Sequence, residues 1–325
     1  MKCPTLLADL LYRAVRPAAC VASPLLPEEL HPGKRAYRGI RSLGVFPGDR
    51  HFTRNVLESR CHSMVLQRHV ARLRSRELAQ FFERRIVYEG AATISQLVDE
   101  PRPLIFATPH YGPTPVGCAA VALSMRGRKA FNVFYDKERH GARMAQFLEG
   151  AGLQSSRLLG GLAGIRTALR ALARGECLAI LPDAFDDIDQ TLVVPFFGRL
   201  LRVASGTAFL ALRSRALIVP AFAIPRRDFG LTISIGAPID PCRIVAEDEA
   251  QALFTLTHLL FSRIEAQLRL APKHWSYWET LPYVSTPVDA LAGLDNPQLM
   301  RTLKAKFHAL PEEVQDIPEL EFLLE

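Results

Sequence analysis

The sequence predicts an α/β fold: a mostly parallel sheet with helices on both faces, preceded by a helical N-terminal extension. Three observations carry this. Continuous apolar runs such as LIFATPH (104–110), CLAILPD (177–183) and LIVPAFAI (217–224) have the strand length and lack of alternation expected where both faces of a strand are covered. Segments of helical periodicity separate them, and that alternation is the mark of parallel strands joined by crossover helices. With 325 residues, 49% of them hydrophobic, the chain is large enough to bury a core on each side of a sheet.

In chain order, residues 5–26 are apolar but interrupted by Asp9, Arg13, Arg16, Pro17 and Pro24. A spanning helix needs about 20 mostly apolar residues without such charges. A secretory signal carries its charge before the apolar run. The segment therefore reads as an amphipathic helix with Leu6, Leu7, Leu10, Leu11 and Val15 on one face and Arg13 and Arg16 elsewhere. That face rests either on a membrane or on the protein's own core. Residues 27–50, rich in Pro, Gly and charge, read as a loop-rich connection. Residues 51–86 read as a long Arg-rich helix.

Beyond the strand ending at His110, Pro113 marks the start of a helix through VGCAAVALSM. A second strand covers 129–136 and a helix 139–150. A helix over 163–174 is stopped by Gly175, and 177–183 is the third strand. Residues 192–197 form a short extended run and 205–213 a helix. The fourth strand is 217–224. The alternation of LTISIGAPI (231–239) predicts an edge strand. A long helix follows over 247–268. This divides the chain into an N-terminal helix and connection (1–50), an α/β domain (51–285) and a C-terminal helical tail (286–325).

Charge and cysteines narrow the partners. The net charge is +7. Residues 1–85 hold 16 Lys/Arg against 7 Asp/Glu, whereas the last fifteen residues hold six acids and no base. A basic front suits an anionic membrane surface or an acidic carrier protein. No aromatic-interleaved basic module points to nucleic acid, and no P-loop or dinucleotide fingerprint points to a nucleotide cofactor. The six cysteines are far apart, without CxxC pairs or zinc-ligand spacing, and read as free thiols. No metal or cofactor is expected.

In open parallel sheets ligands bind beyond the carboxyl ends of strands, and His110 and Asp183 each end a predicted strand. Histidine titrates near neutral pH and suits a general base. Gly112 permits close backbone approach beside Tyr111. Asp183 opens a loop with Asp186, Asp187 and Asp189, which reads as an orienting carboxylate, a cation site or a solvated acidic loop. Phe197 and Gly198 suggest the wall of an apolar slot, with Arg202 at its mouth and Gly206 at a small-residue helix start.

Taken together these segments resemble the lipid A late acyltransferases, the lauroyl/myristoyl transferases of the lysophospholipid acyltransferase superfamily. HYGPTP lies where that family carries its histidine box, typically His-Phe-Gly-Asn-Trp-Glu. NVFYDKER, GGLAGIRTALRALARGECLAILPDA, VVPFFGRLLRVASGTAFLALRSRALIVPAFAIPR and APKHWSYWE (271–279) resemble its later blocks, in the same order, over roughly residues 35–280. The resemblance implies acyl transfer from a thioester on acyl carrier protein or coenzyme A to a hydroxyl or amine, at the cytoplasmic face of the inner membrane or in the cytoplasm. It implies His110 as the base. The family's orienting carboxylate stands five residues after the histidine, and here that position is Pro115. Ala184 follows Asp183 where the family commonly has Gln. Either Asp183 or a neighbour replaces the carboxylate, or His110 acts alone, or the chain binds lipid or carrier protein without turnover. The altered box points to a specialised acceptor, such as a natural-product intermediate, rather than lipid A.

Overall fold

The computed structural model describes residues 4–43, 51–90, 92–125, 131–134, 157–158, 161–185 and 191–287. Helices α1 (Pro4–Leu25), α2 (Pro32–Leu43), α3 (Phe52–Val70) and α4 (Ser75–Arg85) come first. Strand β1 (Ile86–Gly90) and helix α5 (Ile94–Asp99) lead to β2 (Leu104–Ala107) and α6 (Thr114–Ser124). Strands β3 (Phe131–Phe134) and β4 (Arg157–Leu158), helix α7 (Gly161–Ala173) and strand β5 (Cys177–Ile180) follow. Then come the hairpin β6 (Thr191–Phe196) and β7 (Arg199–Ala204), helix α8 (Gly206–Ser214), and strands β8 (Leu217–Pro225) and β9 (Leu231–Ile235). Helices α9 (Glu249–Leu270) and α10 (Leu281–Val284) and strand β10 (Ser285–Pro287) complete the described chain.

Among the described residues the main sheet has seven strands in the order β1-β9-β8-β2-β5-β3-β4. All neighbours are parallel except β8 and β9. The predicted α/β architecture is present. Alternate side chains of each central strand enter different cores. Ile105 and Ala107 of β2 pack on one face with α2, α7, α8 and α9, while Leu104 and Phe106 pack on the other with α1, α3, α4 and α6. Burial on both faces is what the unbroken apolar strand runs anticipate. A second, antiparallel sheet, β10-β7-β6, lies against α9.

Three expectations need correction. Residues 27–50 are not simply a loop: a short 3-10 turn (Glu28–Leu30) and α2 occupy much of the stretch. Glycine marks the packed face of α2. A Cβ at Gly33 would meet the Thr53 carbonyl oxygen at 1.9 Å, and one at Gly39 the Trp278 carbonyl oxygen at 1.9 Å. The helix read over 51–86 is two helices that break after Val70 and end in β1. The edge strand expected over 231–239 is interior, because β1 pairs alongside β9 and covers it. The helix read over 139–150 and residues 288–325 of the tail lie outside the described residues.

Helix α1 presents three sides. Tyr12, Ala19 and Ser23 are buried against the rest of the fold. Tyr12 stacks on His62 at 4.1 Å between ring centroids and donates its hydroxyl to the Arg226 carbonyl. Leu7, Leu10, Leu11, Val21 and Leu25 form a second, exposed stripe, each more than half exposed. Asp9, Arg13 and Arg16 make the polar third side, with Asp9 and Arg13 paired one turn apart. The core face and the exposed apolar stripe thus lie on different sides of one helix.

Buried neutral histidines tie this helical layer down. His31 Nδ1 accepts the amides of Gly33 and Lys34, capping α2 where Ser or Asp is usual, while its Nε2 pairs with Ser23 Oγ. His274 Nδ1 pairs with Ser59 Oγ of α3. Burial lowers the proton affinity of His31, His62, His69 and His274, and takes His274 to a pKa of about 3. A histidine that is neutral when folded but protonated when unfolded makes the unfolded state bind more protons below pH 6.5, so stability falls as pH falls. His274 alone is expected to remove about 2 kcal/mol between pH 8 and pH 5. Thermal denaturation across that range checks this, and His274→Asn should flatten the slope.

Candidate active site

Strands β2 and β5 pair in parallel, with Leu104 opposite Cys177 and Ala107 opposite Ile180. Three residues beyond each last partner stand His110 and Asp183. The shared register delivers both to the same edge of the sheet, and the Thr108 amide bonded to the Ile180 carbonyl continues the pairing toward them. The contact between them is direct. His110 Nδ1 lies 2.9 Å from Asp183 Oδ1, and the His110 amide donates to Asp183 Oδ2 at 2.8 Å. Since a carboxylate oxygen accepts, Nδ1 carries the hydrogen, and Nε2 is the acceptor nitrogen of the neutral ring. The His110 side chain is 30% exposed, whereas that of Asp183 is 1% exposed. One member of the pair faces outward and the other is sealed.

The turn after His110 is knitted locally. Thr114 Oγ1 accepts the Tyr111 amide and donates to the Pro109 carbonyl. Pro115 sits in the first turn of α6, where a missing N–H is harmless. Asp183, three residues beyond the end of the neighbouring strand β5, brings a carboxylate to the His110 ring. Asp186, Asp187 and Asp189 lie outside the described residues.

Segment 271–279 closes the site from one side. Trp275 donates its indole N–H to Asp183 Oδ2 at 2.8 Å. The Ser276 amide donates to the His110 carbonyl, and the Gly112 amide to the His274 carbonyl. The Tyr277 ring stands edge-on to the His110 ring at 4.8 Å, with Phe185 beyond it at 5.4 Å. Arg60 of α3 braces the segment through the Ser276 carbonyl. Sequence reasoning placed 271–279 in the family pattern without assigning Trp275 or Tyr277 to the site. No local signal marks a contact between residues 92 positions apart.

The other expected site residues are placed differently. Tyr111 is fully buried, donating to the Ala271 carbonyl and accepting from Gln267. Gly112 has φ +63°, and a Cβ there would lie 2.0 Å from the Ala223 carbonyl oxygen, so β8 requires the glycine. Phe197 and Gly198 are the two-residue turn of the β6–β7 hairpin, both with positive φ (51° and 64°), the turn that matches strand twist. Phe197 is 1% exposed, its ring 5.2 Å from Trp278 and its amide bonded to Glu265. Its left-handed backbone is strained for an aromatic residue, and this packing over-determines it. Arg202 is exposed on β7, and Gly206 opens α8.

A covered, mostly parallel sheet thus carries a histidine–carboxylate pair beyond the carboxyl ends of β2 and β5. The match to the bacterial lipid A biosynthesis acyltransferase family spans residues 53–279, and the chain belongs to that family. Its general chemistry is acyl transfer in lipid biosynthesis. No curated protein matches the chain. Among the described residues no helix is long and apolar enough to cross a membrane.

Asp183→Ala should lower unfolding free energy by about 2–4 kcal/mol, because it leaves the His110 amide and the Trp275 indole without their acceptor. Asp183→Asn, whose amide oxygen can take the place of Oδ2 and accept both, should lose less. Urea denaturation of the two variants provides the comparison.

Proposed function

We propose that the chain transfers an acyl group from an acyl carrier protein or coenzyme A thioester to a hydroxyl or amine, with His110 as general base and Asp183 as its orienting carboxylate. The observation that carries the reading is the 2.9 Å contact between His110 Nδ1 and Asp183 Oδ1 at the ends of paired strands. Nε2 takes the proton of the acceptor as its oxygen or nitrogen attacks the thioester carbonyl. The tetrahedral intermediate collapses, the C–S bond breaks, and the leaving thiolate recovers the proton from the imidazolium. The products are an ester or amide and a free thiol. Asp183 holds the ring in the required tautomer and stabilises the imidazolium while it exists. Arg202 and Gly206 are the substrate-facing residues in this reading, while Tyr111, Gly112, Phe197 and Gly198 serve packing and turn geometry.

The acceptor we favour is a specialised one, an amine or a natural-product intermediate, because Pro115 replaces the carboxylate of the family's histidine box. The site of action is the cytoplasmic face of the inner membrane. Support for a peripheral seat comes from α1, whose exposed leucine stripe flanks Arg13 and Arg16. Such a helix buries its apolar side at the headgroup boundary and its cations among anionic lipids.

Purified protein incubated separately with acyl carrier protein and coenzyme A thioesters, plus cell extract, should yield an acylated product by mass spectrometry. His110→Ala should lower turnover by about a hundredfold or more. Asp183→Asn should lower kcat while leaving KM nearly unchanged, since it acts on a charge formed in the transition state. Full turnover by folded His110→Ala protein would remove the base assignment.

The membrane seat has its own test. Deleting α1 would uncover the core around Tyr12, so point changes are preferable. Leu7→Gln with Leu11→Gln should weaken flotation with anionic liposomes while leaving the melting temperature within a few degrees. Added salt should weaken binding of the unaltered chain. Equal flotation of variant and parent would exclude this face from lipid contact.

A further inference from the structure

Resting on the reading of His110 as base, we propose that Trp275 is a positioning residue for the reaction: its indole N–H fixes the rotation of the Asp183 carboxylate and, through it, the tautomer of His110. Asp183 is fully buried and its oxygens divide their work. Oδ1 receives His110 Nδ1. Oδ2 receives the His110 amide and Trp275 Nε1, each at 2.8 Å. Without the indole both anchors come from His110 itself, so the carboxylate and the ring have no common outside reference. The indole supplies one from a distant part of the chain.

Trp275 is itself rigid. It is 1% exposed, its ring meets Trp278 at 4.8 Å and Phe196 at 6.0 Å, and its backbone forms an isolated antiparallel bridge with Tyr111. It is therefore tied both to the residue after the histidine and to the carboxylate. Its indole N–H is bonded to Asp183, so it acts through that residue. A tryptophan needed only to fill space would require the ring but not the N–H.

That distinction sets the experiment. Full-length protein carries β-(3-benzothienyl)alanine at position 275, which keeps the ring shape and replaces N–H by sulfur. Trp275→Phe is made in parallel. Two quantities are read: the His110 tautomer, from imidazole nitrogen shifts in protein labelled with nitrogen-15 histidine and assigned by comparison with His110→Ala, and steady-state kinetics with an acyl carrier protein thioester. The unaltered chain should hold the Nδ1–H form. The sulfur variant should shift toward Nε2–H, with kcat reduced about ten- to a hundredfold, the scale of one lost hydrogen bond to a charged group, and KM within about twofold. An unchanged tautomer in the folded sulfur variant overturns the proposal, whatever the activity. A shifted tautomer with unchanged kcat keeps the positioning of His110 and removes its role as base, which His110→Ala decides independently.

Discussion

A carboxylate with its side chain 1% exposed is expensive to bury unless donors surround it, and Asp183 collects three N–H groups: the amide and ring of His110 and the indole of Trp275. These donors come from two places far apart in the chain, on either side of Asp183 itself. Meeting the needs of one buried charge therefore ties the end of β2, the end of β5 and the segment after α9 into one arrangement. The same bonds that satisfy the charge orient the histidine. Stability and the geometry of the His110–Asp183 pair draw on the same oxygen atoms.

The route to that arrangement is strand pairing. In a parallel pair, residues equally far beyond matched partners emerge side by side, so the β2–β5 register alone brings positions 110 and 183 together. A carboxylate five residues after the histidine would reach it through the first turn of the following helix. Here that turn carries Pro115, a good helix starter whose side chain has nothing to donate or accept. The partner comes from the neighbouring strand instead. One edge of the imidazole is thereby bonded to Asp183, with Tyr277 edge-on to the ring and Phe185 beyond Tyr277.

The N-terminal helices connect this centre to the surface. α1 rests on α3 through Tyr12 and His62, and α3 reaches the closing segment through Ser59 with His274 and through Arg60 with the Ser276 carbonyl. A helix with an outward apolar stripe is thus in continuous packing contact with the strap that holds Asp183. The exposed stripe of α1 and the His110–Asp183 pair share α3 as their common support.

Much of this was legible in the sequence because the signals are local. Unbroken apolar runs mark strands covered on both faces, Pro113 and Gly175 punctuate helices, and strand-end residues in such sheets are site candidates. His110 and Asp183 follow from those rules without any structure. Tertiary structure decided what depends on partners distant in the chain. Strand β1 is hidden at the end of an Arg-rich helical stretch, and only its pairing reveals that the alternating β9 is interior. Helix α2 has little apolar character and exists because Gly33 and Gly39 let it approach other backbone closely. Tyr111 and Phe197 look like ligand contacts in one dimension, yet their rings fill the core. The Trp275 bond to Asp183 crosses 92 residues. Periodicity and turn chemistry are properties of neighbours along the chain, and so the sequence by itself determined the central strands, most of the helices between them and the two residues beyond the ends of β2 and β5. Which buried polar group is satisfied by which donor is a property of the closed fold, and only the folded chain decides it.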